Sequence, residues 1–249
     1  MQRDIPRISS ALNALLRADF TAQWRNRRSV VLVLLVPVII LISWKGLVAR
    51  MGGPFVLSIC ITIGLTAIGL MGYTNTIARD RDKGIFQRLR VGPIPSWTIM
   101  VSRLTVQIFM IVLLTIAVFA VGFYVDKISL SPAGYLFGFV MALAGGTVYL
   151  GLGQMIVGLI KHPETVNAVT RLVYFLFIMV GMLGELGAMG NEVQQAVIWS
   201  PFGTVKRIVS DSLQPGHWTG DSGMAFLATA GYAIVFSVLG IKWFKWNTK

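Results

Sequence analysis

The chain has 249 residues, of which 55% are hydrophobic and 13% charged, with mean hydropathy +0.72 and net charge +12. A soluble domain is normally about a quarter charged, and residues 51–78, 104–125, 128–160 and 222–241 contain no Asp, Glu, Lys or Arg at all. Each of these runs can cross a hydrocarbon core needing about 20 residues, which excludes a soluble enzyme and identifies an all-α, polytopic membrane protein. A single cysteine, Cys60, excludes an internal disulfide, and His162 and His217 fall in different loops, so no metal site is expected.

Residues 1–28 read as a cytoplasmic N-terminal segment, too long and polar a lead for a cleavable signal. Within it Ile8, Leu12, Leu15, Leu16, Phe20 and Trp24 recur at helical spacing. That pattern predicts an amphipathic helix lying in the membrane interface, or packed on the protein, before Arg25 to Arg28 mark membrane entry. Residues 29–249 form a six-helix membrane domain, with spans expected near 29–48, 54–77, 98–123, 133–160, 168–187 and 223–242. Pro37 should kink the first span, and Lys45 should reach the interface. Gly134/Gly138 and Ala142/Gly146 have the spacing that brings helix backbones together in lipid, within the chain or between copies.

The loop 78–97 is different in kind. Between Arg79 and Arg90 it holds five basic and two acidic residues, with Ile85, Phe86 and Leu89 able to share one helical face. Gly84 loosens the backbone at the start of this face, and Gly92-Pro93 terminates the short helix. The reading is a surface helix whose apolar side chains, rimmed by charge, are offered to a partner. Near the other end of the chain, 185–222 reads as an outer re-entrant segment with two short helices, "EVQQAVIW" and "PFGTVKRIVSDSL".

Charge sets the orientation. Segments 1–28, 78–103, 161–171 and 242–249 hold 17 of the 22 basic residues but five of the ten acidic ones, so the whole excess lies on one side. The positive-inside rule makes that side the cytoplasm, with both termini there. The basic balance thus reflects topology and not nucleic-acid binding. Trp24, Trp44, Trp97, Trp199, Trp218, Trp243 and Trp246 all fall at or beyond expected span ends, where an amphipathic ring is favoured.

The stretch "RDRDKGIFQRLRVGPI" resembles the cytoplasmic loop of type-2 ATP-binding-cassette (ABC-2) transporter permeases, and the order of features along nearly the whole chain fits that family. Gln87 and Ile85 stand where many members have Glu and Thr. The resemblance implies a coupling helix that docks on an ATPase subunit through Asp80, Arg81, Asp82, Lys83, Gly84, Phe86, Arg88, Leu89 and Arg90. It also implies two ATPase copies, a second permease copy in a homodimer, and a multi-pass place in a bacterial or archaeal cell (inner) membrane. No G-x-x-x-x-G-K-[ST] phosphate loop occurs. ATP and magnesium are therefore expected on the partner subunit, with no cofactor on this chain and no catalytic residues.

The function expected is the transmembrane subunit of an ATP-driven exporter for a hydrophobic or amphipathic substrate: a drug, lipid or lipid-linked glycan. An ion-coupled carrier and a non-transporting assembly factor are the alternatives. Glu185 and Met182 are the candidate pathway residues, Glu185 as an acidic group for a cationic compound or as an interfacial anchor.

Overall fold

The computed structural model describes residues 8–90 and 95–244, by backbone alone at Arg28, Ser29, Leu32 and Arg90. The expected terminators Gly92 and Pro93, and Trp246, lie outside the described residues. All regular structure among the described residues is helical.

The first helix, α1 (Ile8–Arg25), forms where the amphipathic pattern predicts it. It packs on the protein: Phe20 meets Phe109 edge-to-face at 5.2 Å, and Asp19 is buried. Helix α2 (Arg27–Ser43) then enters the apolar layer and runs unbroken through Pro37. The break comes at Trp44, where α2 and α3 (Lys45–Met51) meet at a bend of 65°. The physical reason lies in the charges. Lys45 and Arg50 are exposed on α3 while Leu47 and Val48 pack on the core, so the chain turns and keeps both cations out of the apolar layer. The first expected span is therefore a bent pair. Five other helices are long and apolar enough to cross a membrane.

The central one is α4 (Gly53–Asp82), 89% of whose most apolar window is buried. Its sequence explains that place, because Val56 to Thr66 has no polar face and every one of those residues is buried. Between Ala67 and Thr74 the helix widens into π geometry. The carbonyls that this loosens are taken up by side chains: Thr74 Oγ1 donates to Gly69 O at 2.7 Å, Asn75 Nδ2 to Met71 O at 3.1 Å and Thr76 Oγ1 to Gly72 O at 2.8 Å.

After α5 (Ile85–Arg90), α6 (Ser96–Tyr124) and α7 (Pro132–Leu159) flank α4. The glycines of α7 are used within the chain. Gly138 faces Leu213, Gly145 faces Val205, Gly151 faces Ser237 and Gly158 faces Gly240. Tyr73 also donates to Gln154 Oε1 at 2.7 Å, joining α4 to α7.

Helix α8 (Pro163–Glu185) and the last helix, α11 (Gly220–Trp243), are peripheral, with only 17% of their apolar windows buried. Between them come α9 (Asn191–Ile198) and α10 (Pro201–Leu213), at the two positions where short helices are expected. Ser200 caps α10 by accepting from Gly203 N at 3.2 Å. Leu213 lies against Gly134 at the start of α7, and Val205 against Gly145. From Pro132 to Gly145 α7 rises about 20 Å, so α10 reaches back roughly halfway along it.

Candidate functional site

Helix α4 ends in the charged stretch, and its last turn is held by Arg81. The guanidinium is buried and donates to three carbonyls around the C-terminus of α7: Val157 O at 2.6 Å, Ile160 O at 2.6 Å and Lys161 O at 2.8 Å. Val157 O is among the last carbonyls of α7, which lack a partner inside the helix, those of Ile160 and Lys161 follow its end, and a cation there also meets the negative end of the helix dipole. Arg81 therefore staples the end of α4 to the end of α7.

Arg103, on α6, makes a second brace. It reaches Asp19 of α1 at 3.3 Å and Asp80 of α4 at 2.6 Å, the latter an ion pair whose N–H is not aimed along the contact. Ser102 Oγ donates to Asp19 Oδ2 at 2.6 Å. Burial pushes the Asp19 carboxyl above the ordinary carboxylate value, against the opposing pull of Arg103 and the Ser102 hydrogen bond. One residue thus joins α1, α4 and α6. A lone arginine in an otherwise uncharged helix is the sequence signal that could have found it, since such a charge needs partners.

From this braced base the chain turns at Gly84, whose φ of +67° is the left-handed conformation that ends a helix. The six-residue α5 comes next. Phe86 points inward, 0% exposed, and meets Phe244 edge-to-face at 6.1 Å. Leu89 is half-buried against the core. Asp82, Lys83, Gln87 and Arg88 are exposed, and Gly84 and Ile85 partly so.

The nine expected docking residues therefore separate by position. Asp80, Arg81 and Phe86 face the protein, while Asp82, Lys83 and Arg88 form its outer face with Gly84 and Leu89 at the edge. Of Arg90 only the backbone is described. The shared exposed face expected for Ile85, Phe86 and Leu89 is not formed, because Phe86 fills the space beside Phe244.

The other two expected site residues lie elsewhere. Glu185 accepts from Lys206 Nζ at 2.9 Å, both side chains being at most 10% exposed, and the ammonium sits 4.1 Å from the centre of the Phe55 ring. Met182 packs with Ile59, Ile63 and Phe202. Lys206 is the partner that sequence reasoning missed, 21 residues from Glu185 and in another helix. Among the described residues no three His, Cys, Asp or Glu side chains gather as metal ligands would.

Comparison with known proteins identifies the family of the chain. The family described as "ABC-2 type transporter" matches residues 10–203. The "Probable multidrug ABC transporter permease YbhR" of Escherichia coli K12 is 25% identical over 136 residues, which is 54% of this chain and 35% of that protein. The "Putative transport permease YvfS" of Bacillus subtilis 168 is 25% identical over 126 residues, 50% of this chain and 51% of that protein. The matched stretch thus spans between about a third and half of those relatives' length. The family match covers most of the chain, which belongs to the ABC-2 type transporter family.

Proposed function

We propose that the protein is the membrane subunit of an ABC exporter and that the outer face of α5 docks on a separate ATPase subunit. The observation that carries this reading is the bracing of α5. Asp80, Arg81 and Phe86 fix its base to α6, α7 and the segment after α11, while Asp82, Lys83, Gln87 and Arg88 stand free to meet a partner. An ordinary connecting loop has no need of such anchorage.

The mechanism rests on those bonds. Nucleotide is held by the ATPase subunit, and its closure pushes on α5. Arg81 passes the displacement to α7, and Arg103 passes it to α6 and α1. Coupling requires that the two arrangements of the helices bind loop and substrate with different free energies. Two copies pair about a twofold axis, each with its own ATPase subunit. The α5 side faces the cytoplasm of a cell membrane, a reading the basic excess supports, and α9 and α10 form a re-entrant plug over the outer mouth. The cargo is a hydrophobic or amphipathic compound, in keeping with the multidrug name of one relative.

The test is capture of the tagged chain from its native membrane in mild detergent. A subunit with a phosphate loop and ATPase activity should co-purify, and Arg88→Glu should release it while leaving the permease in the membrane. Capture of the permease without any ATPase would refute the proposal.

A further inference from the structure

A cavity of about 410 Å³ lies between α2, α4 and α8, apart from the α5 docking face. Its two ends differ in chemistry. At the end where α1 lies, Asn26, Arg79, Asn167 and Arg171 reach it. Towards the middle of the helices the walls are Val33, Val36, Met71 and Tyr174. From Ala67 to Arg79, both lining residues, α4 rises about 18 Å. The cavity therefore runs from a basic mouth to an apolar floor over roughly one leaflet's depth.

Among the described residues no carboxylate lines it, so its charge there is positive and uncompensated from within. Arg79 and Arg171 are exposed, and no ion pair engages either one among the described residues. Two other polar groups at the mouth are already committed: Asn75 and Thr76 donate to the π-segment carbonyls of Met71 and Gly72. Donors left for a ligand are the two guanidiniums and the amides of Asn26 and Asn167, with the Tyr174 hydroxyl deeper in the wall. Arg79 and Arg171 stand on facing helices, and paired guanidiniums suit phosphate or carboxylate oxygens. The π segment, a feature frequent at functional sites, forms part of the wall through Ala67, Met71 and Gly72.

We propose that this cavity binds the exporter's cargo, and that the cargo is an amphiphile with an anionic headgroup, phosphate or carboxylate, entering from the leaflet on the α1 side. The headgroup meets Arg79 and Arg171, and the tail lies on Val33, Val36 and Met71. This rests on the reading of the chain as a transport subunit. ATPase capture through Arg88 involves neither arginine, so the two ideas fail separately.

The experiment measures binding of pyrene-dodecyl phosphate to the full chain in phosphatidylcholine nanodiscs. The matched trimethylammonium probe and inorganic phosphate serve as controls. The phosphate probe should bind at least ten-fold better than either control. Arg79→Gln and Arg171→Gln should each weaken it about ten-fold, the worth of one charge-assisted hydrogen bond. Arg→Lys variants at the two positions should retain most of the affinity. Equal binding of the trimethylammonium probe, a measurement on the unaltered chain, would overturn the proposal. So would an unchanged affinity in the Arg79→Gln/Arg171→Gln variant. Full displacement of the probe by phosphatidylglycerol in the disc would make the occupant a resident membrane lipid and also overturn it.

Discussion

At residue scale, the buried or partly buried charged and aromatic groups Arg81, Phe86, Arg103 and Glu185 are defined by what they touch, and most of the touching partners are remote in sequence. Arg81 spends its donors on the carbonyls of residues 157, 160 and 161. Arg81→Met should leave those carbonyls unsatisfied and lower stability by about 2–4 kcal/mol, with amide exchange rising first around 157–161. Phe86→Ala should cost about 3–5 kcal/mol, as for any buried aromatic, measured as a lower melting temperature in detergent. Arg88→Glu should leave melting unchanged. Glu185→Gln should cost about 3–5 kcal/mol because it strands a buried ammonium, and adding Lys206→Met should recover most of it. An effect confined to cationic cargo, with stability intact, would instead favour the pathway role for Glu185. Asp19 gives the pH dependence. Its raised value means that the folded state holds the proton more tightly than the unfolded chain. That contribution is complete below the ordinary carboxylate value of 3.8 and is lost as pH rises through the raised one. Exchange protection of residues 15–22 should therefore fall as pH rises above the ordinary carboxylate range, and Asp19→Asn should flatten the response. Most of these partners were illegible in the sequence. Six residues of helix are too few to decide which face Phe86 takes, and its neighbour Phe244 lies 158 positions away.

At the scale of elements, the sequence was most legible where pattern is strong and local. The uncharged runs located α4, α6, α7 and α11, and Pro201 with Leu213 bounded α10 as expected. The exception was the first span. Proline was expected to set the bend, but Pro37 sits inside a continuous helix and the turn comes at Trp44. Two cations seeking water, Lys45 and Arg50, outweighed one missing backbone hydrogen bond. The π segment was equally hidden, because no residue type demands it. It depends on the donors at Thr74, Asn75 and Thr76 and on the close approach of α7. At Gly69 a Cβ would lie 2.6 Å from the backbone of Tyr149. Gly69→Ala should therefore force α4 and α7 apart, lower stability and reduce transport even with the docking face intact, as measured by melting and vesicle export. Normal melting would show that the contact can give way.

At the scale of the whole molecule, a buried central helix is tied to its neighbours near one end, and a short helix projects from that end. Charge made part of this arrangement legible in advance: the basic excess and the mixed-charge stretch fall on one face, while the Trp residues mark span ends on both. Charge alone could not show that half of the mixed-charge stretch serves as foundation. The central claim is that the outer face of α5 meets an ATPase subunit, and site-specific photo-crosslinking in native membranes tests it most directly. A photoreactive residue at Gln87 should give an adduct with a phosphate-loop subunit, and one at Phe86 should give only intramolecular products. Absence of an ATPase adduct at Gln87, with the same subunit captured instead from Leu172 or Ile241 on the exposed faces of α8 and α11, would contradict that claim.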